Sequence, residues 1–162
     1  MILKNNMSSD FRSSWELYVD GAARNNPGPA GAGFYLLKDG KPVEKQGLYL
    51  GNKTNNQAEY LALLLGVYFA QKHMGPADTL IIKADSELMV RQVNGVYKVR
   101  NKELFRLHAS VRAILNALNF KIQHIARENN KIADKLANEG IDKKITVPKE
   151  LLLVWPVYDE IL

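Results

Sequence analysis

Residues 78–85, DTLIIKAD, decide how this chain folds. A short apolar run lies between two acids, the pattern of a strand buried in the middle of a sheet. Just before it, residues 54–75, TNNQAEYLALLLGVYFAQKHMG, change period: Leu61, Leu64 or Leu65, Tyr68 and Phe69 recur at helical spacing. Thr54 and Gln57 make a capping-box pair at the start of this helix, and Gly75-Pro76 stops it. Earlier still, WELYVD (15–20) alternates as a strand, GAGFYLLKDG (31–40) closes on the Asp39-Gly40 turn signal, and KPVEKQGLYL (41–50) forms a third strand. Their short connections imply an antiparallel meander. A strand-helix-strand crossover is right-handed and lays its second strand parallel to its partner. Strand 78–85 can therefore lie beside strand 15–20, with Asp20 and Asp85 next to each other at one sheet edge. Ligands of open α/β sheets bind off the carboxyl ends of the strands, so this pair of acids marks a site.

Downstream, SELMVRQVNG (86–95) reads as a short helix and KELFRLHASVRAILNAL (102–118) as a longer amphipathic one. NFKIQHIA (119–126) reads as a last strand and ENNKIADKLANEGI (128–141) as a last helix, with Ile132 and Leu136 facing the core. Glu59 falls in the first turn of its helix, on a different face from the leucines. Asp134 falls near the start of the last helix. Four carboxylates thus converge from two strand ends and two helix starts. Without a cation they would repel and raise one another's pKa. An all-oxygen donor set of this kind suits Mg²⁺ or Mn²⁺.

At 162 residues and 46% hydrophobic, the chain has enough length for one core, and no long linker divides it. The net charge of +5 suits a polyanionic partner without specifying one. The absence of cysteine excludes disulfides, thiolate metal sites and thiol nucleophiles. No apolar run is long enough to cross a bilayer. Residues 1–13 are expected to be a mobile leader without a targeting pattern, residues 14–142 the domain proper, and residues 143–162 an apolar tail docked on the domain or on a partner copy. A cytoplasmic monomer is expected.

Four blocks in order, YVDGAARNNPGPAGAG (18–33), TNNQAEYLAL (54–63), IKADSELMVRQVNG (82–95) and HIARENNKIADKLAN (124–138), resemble the type 1 ribonuclease H family. The resemblance covers roughly residues 15–140. It implies an α/β fold of the ribonuclease H type: a five-stranded mixed sheet of order 3-2-1-4-5, the second strand antiparallel, with helices on both faces. It implies hydrolysis of the RNA strand of RNA–DNA hybrids by two divalent ions, giving 5′-phosphate and 3′-hydroxyl ends. Asp20, Glu59, Asp85 and Asp134 match the family's metal-holding acids. Gly21, Asn26, Asn55, Asn56 and Gln57 match groups beside the first two acids, where the family contacts RNA 2′-hydroxyls.

Two departures qualify the match. The family often places a histidine on a flexible loop before the last acid. Here His73 and His108 read as surface or packing residues and His124 lies early, so Arg127 is expected near the site, with the assisting role open between His124 and Arg127. The stretch NGVYKVRNKEL (94–104) also leaves no room for the basic extra helix of several relatives, so Lys98 and Arg100 are expected to supply a smaller phosphate-binding patch. The competing readings are a metal nuclease that also acts on double-stranded RNA, and a hybrid-binding domain without activity.

Overall fold

The computed structural model describes residues 12–150. The leader up to residue 11 and the tail from residue 151 lie outside the described residues. The element order is β1 (Ser14–Ala23), β2 (Gly28–Lys38), β3 (Lys41–Lys53), α1 (Asn55–His73), β4 (Thr79–Ala84), α2 (Glu87–Val93), α3 (Lys102–Leu115), β5 (Asn119–His124), a 3-10 turn (Arg127–Asn129) and α4 (Lys131–Lys143). The sheet order is β3-β2-β1-β4-β5, as the resemblance implied. β2 is antiparallel to β1 and β3, whereas β4 lies parallel to β1 and β5.

The meander runs longer than its alternation suggests. β1 continues past Asp20 to Ala23, and β2 starts at Gly28, not at residue 31. The connecting loop is therefore only residues 24–27, Arg-Asn-Asn-Pro. Small residues are compatible with a ladder here: Gly21, Ala22 and Ala23 pair with Ala32, Gly31 and Ala30.

Helix α1 begins as the sequence indicates. Thr54 Oγ1 accepts from Gln57 N, and Gln57 Oε1 accepts from Thr54 N at 2.9 Å. The helix is not a simple amphipathic one, however. Every residue from Ala58 to Val67 is buried, because α1 lies between the sheet and α3. Leu17, Val19, Phe34, Leu36 and Ile82 from the sheet meet Leu61, Leu64 and Leu65 in this core, all fully buried.

Helix α4 covers the opposite face over β1, β2 and β3. Here the expectation about Ile132 is corrected. Ile132 is 51% exposed, and the buried positions are Ala133, Leu136, Ala137, Gly140 and Ile141. The reason is how closely the helix approaches the strands. A Cβ on Gly47 would lie 2.0 Å from the Leu136 carbonyl oxygen, and one on Gly33 would lie 2.1 Å from that of Ala133. Glycines on the strands and Ala133, Ala137 and Gly140 on the helix form the line of closest approach, with Leu136 and Ile141 packed beside it, and Ile132 lies on the exposed flank.

Candidate active site

Asp20 is buried on β1 opposite Gly33, at the point where β1 and β4 separate after the pair Val19 and Ala84. Asp85 is the first residue past β4, half-buried, and Ser86 caps α2 by accepting from Met89 N at 3.3 Å. Glu59 comes from the first turns of α1 and is buried. Oxygen atoms of Asp20, Glu59 and Asp85 lie within 4.8 Å of one another. Asp134, half-buried on the first turn of α4, lines the same cleft beside this trio.

Close backbone packing sets this geometry. A Cβ at Gly21 would meet the Ala58 carbonyl carbon at 2.2 Å and Glu59 N at 2.3 Å, so α1 presses directly on β1. The Gly21 N–H donates to Glu59 Oε2 at 3.2 Å and aims that carboxylate beside Asp20.

Burial, reinforced by the charge of Asp85, pushes the Asp20 carboxyl up from 3.8 to about 8. Burial, then the charges of Asp20 and Asp85, raises Glu59 well above the usual carboxylate range, although the Gly21 N–H opposes the shift. The largest effects on both acids are burial and neighbouring carboxylates. Three clustered carboxylates, two of them buried, form a site that a multivalent cation would relieve. The donor set fits a hard divalent ion.

The acids line a cleft of about 600 Å³ with Gly21, Ala22, Ala23, Asn55, Asn56, Ser86 and Arg127. The other expected contact residues are placed more diversely. Asn26 Oδ1 accepts from Asn55 N at 2.9 Å, and Asn55 Oδ1 accepts from Ala23 N at 3.0 Å. These two side chains tie the 24–27 loop to α1 and keep their amide NH₂ groups as donors. Asn56 is exposed in the cleft, and the Gln57 oxygen is engaged in the helix cap. Lys98 and Arg100 are exposed on the 94–101 connection between α2 and α3, outside the cleft lining.

Arg127 reaches the cleft from the 3-10 turn. His124 is exposed at the end of β5 and does not line it. His73 meets Glu44 at 2.8 Å, and His108 contacts the Gln92 carbonyl at 3.2 Å, in keeping with packing and surface roles. The residue that sequence reasoning passed over is Asn130, which is 1% exposed and hydrogen-bonded to Asp85. Its signal in the sequence is its place four residues ahead of Asp134 in the fourth family block, which marks the position without showing what the side chain meets.

Comparison with known proteins gives a consistent picture. The family model described as "Reverse transcriptase-like" matches residues 18–140. The chain is 38% identical over 127 residues to "Ribonuclease HI" of Halobacterium salinarum, covering 77% of this chain and 63% of that protein. It is 31% identical over 152 residues to "Ribonuclease H" of Pseudomonas fluorescens, covering 83% of this chain and 95% of that one. Mycobacterial relatives are longer, and the chain spans 34% of their length. Among solved structures, LC11-RNase H1, determined in complex with RNA/DNA hybrid, superposes with a TM-score of 0.75 at 38% identity, covering 80% of this chain and 97% of that one.

Proposed function

The chain belongs to the type 1 ribonuclease H family, and from that premise we propose that it is an endoribonuclease cutting the RNA strand of RNA–DNA hybrids. The observation that carries this reading is the convergence of Asp20, Glu59 and Asp85 within 4.8 Å, with Asp134 at their side. In this reading the four acids hold two divalent ions, Mg²⁺ or Mn²⁺. When bound, such ions supply a lowered pKa for an attacking water and charge stabilisation at the departing 3′ oxygen.

The chain's own residues do the positioning. Gly21 holds Glu59 in place, and the sheet fixes Asp20, so the oxygen donors are set before any ion arrives. Their raised pKa values mean that ion binding displaces protons from Asp20 and Glu59. Asn56 in the cleft, with the free NH₂ groups of Asn26 and Asn55, offers donors to RNA 2′-hydroxyls. Arg127 stands at the cleft for the scissile phosphate or its neighbour. Products carry 5′-phosphate and 3′-hydroxyl ends.

The test is cleavage of a labelled RNA–DNA hybrid beside double-stranded RNA and double-stranded DNA, in Mg²⁺, in Mn²⁺ and in EDTA. Only the RNA of the hybrid is cut, only with metal, and Asp20→Asn lowers the rate by about 100-fold or more, since even residues behind metal ligands cost 10–100-fold. Hybrid binding without cleavage in either metal would make this a binding domain instead. Equal cutting of double-stranded RNA would make it a nuclease of broader substrate.

A further inference from the structure

Asn130 immediately precedes α4 and sits beneath the acid cluster, 1% exposed. Its amide NH₂ donates twice, to the Val19 carbonyl at 2.8 Å and to Asp85 Oδ2 at 3.2 Å. Its backbone carbonyl accepts from Asp134 N at 3.1 Å. One residue therefore touches the strand position just before Asp20, the Asp85 carboxylate and the turn that carries Asp134.

Part of this arrangement closes the sheet. β1 and β4 stop pairing after Val19 and Ala84, and beyond that point Ile125 N takes the Ala84 carbonyl while Asn130 takes that of Val19. Sealing the split accounts for one of the two amide bonds only. The remaining features do not serve stability. Asn130 Oδ1 is buried without a hydrogen-bond partner, a cost of about 1–3 kcal/mol. Although Asn is a favoured cap, this side chain makes no cap hydrogen bond to α4 and turns toward Asp85 instead.

We infer that Asn130 is a positioning residue for the metal site. It fixes the rotamer of Asp85 through Nδ2–H···Oδ2 and ties that carboxylate to the helix turn bearing Asp134. Carboxylates that ligate metals are commonly held by hydrogen bonds of this sort, and losing such a partner costs 10–100-fold in metal affinity. The inference rests on the metal-dependent reading above.

The experiment is calorimetric titration of Mn²⁺ into the metal-free protein without nucleic acid. The wild type is compared with Asn130→Ala, Asp20→Asn and Trp15→Phe, each with its thermal midpoint measured. Trp15→Phe removes the 2.9 Å bond from Trp15 Nε1 to Asp78 at the far end of β1, and serves as the control for lost stability. If Asn130→Ala does not fold, Asn130→Ser takes its place, since its hydroxyl is too short to span both partners.

The expected result is that Mn²⁺ affinity falls about 10–100-fold in Asn130→Ala and stays within about twofold of wild type in Trp15→Phe. Wild-type affinity in Asn130→Ala would overturn the inference and leave Asn130 as a seal of the sheet. An equal loss in Trp15→Phe would overturn it too, because the effect would then track stability. A wild type that binds no Mn²⁺, and so does not differ from Asp20→Asn, would remove the proposed function and the inference with it.

Discussion

Asp20 carries opposite demands in the folded and unfolded chain. Unfolded, it ionises near 3.8; folded and metal-free, burial and the Asp85 charge move it to about 8. Between those values the folded chain holds a proton that the unfolded chain has lost. The stability tied to protonated Asp20 is thus complete below about pH 4 and is lost as pH rises through 8. Glu59 is shifted in the same direction. Asp78 and Asp142 are shifted downward, so their contributions change only in acid and add no slope in this window. The thermal midpoint of the metal-free protein is accordingly expected to fall between pH 5 and 8. Saturating Mn²⁺ or the substitution Asp20→Asn should flatten that fall, and differential scanning calorimetry across the range measures it. A midpoint that rises over the window would mean that the acids are not buried together. At this scale the site was partly legible in the sequence. Each acid sits at a recognisable place, the end of an apolar run for Asp20 and Asp85, or the first turns of a helix for Glu59 and Asp134. Asn130 stands in the fourth family block, but its role was not legible, because its partners Val19 and Asp85 lie 111 and 45 residues away and no spacing rule connects them.

At the scale of elements, α4 shows where pattern reading failed. Apolar periodicity put Ile132 in the core together with Leu136, four residues on, and only Leu136 is buried there. What governs this helix is the separation it must keep from the sheet, and that is set by glycines on β2 and β3 whose purpose a strand pattern does not announce. Gly140 makes the consequence testable. A Cβ there would lie 2.6 Å from both Leu48 N and Leu48 O, rigid backbone atoms that cannot step aside. Gly140→Ala must lift α4 from the sheet, with Asp134 moving along. We expect a loss of about 1–3 kcal/mol in urea denaturation and a several-fold drop in metal-dependent cleavage. Gly75→Ala is the contrast. There the nearest atom to a new Cβ is the Asp78 carboxylate at 3.6 Å, ordinary contact, and the change should stay within about 0.5 kcal/mol. Equal effects at the two positions would show that the tight seam does not govern α4. Capping, in contrast, was readable: Thr54 and Gln57 sit three apart and need nothing from elsewhere in the chain.

For the whole molecule, the meander and the place of β4 beside β1 followed from connection lengths and the handedness of one crossover, which are properties of chain geometry and survive errors at element ends, whereas the full order with β5 outermost came from the family resemblance. What chain geometry does not supply is how the outer surface meets a duplex of roughly uniform charge. The chain has a net charge of +5, and the 94–101 connection contains no helix, so any basic contribution there comes from a short loop. Arg91 stacks 5.3 Å from the Tyr97 ring at its start, which braces the loop, while Lys98 and Arg100 stay exposed. If these two cations meet phosphates, their contribution is released counterions and must appear as salt dependence, not as sequence preference. Binding of a labelled hybrid can be followed by anisotropy in the Asp20→Asn background, where cutting is suppressed, over a series of salt concentrations. Adding Lys98→Ala and Arg100→Ala should flatten the plot of log affinity against log salt by about 2, close to one per lost contact. The thermal midpoint should stay unchanged, because both side chains are exposed. An unaltered slope would place the duplex on another path across the molecule, with the acid cleft reached from the side of Arg127 alone.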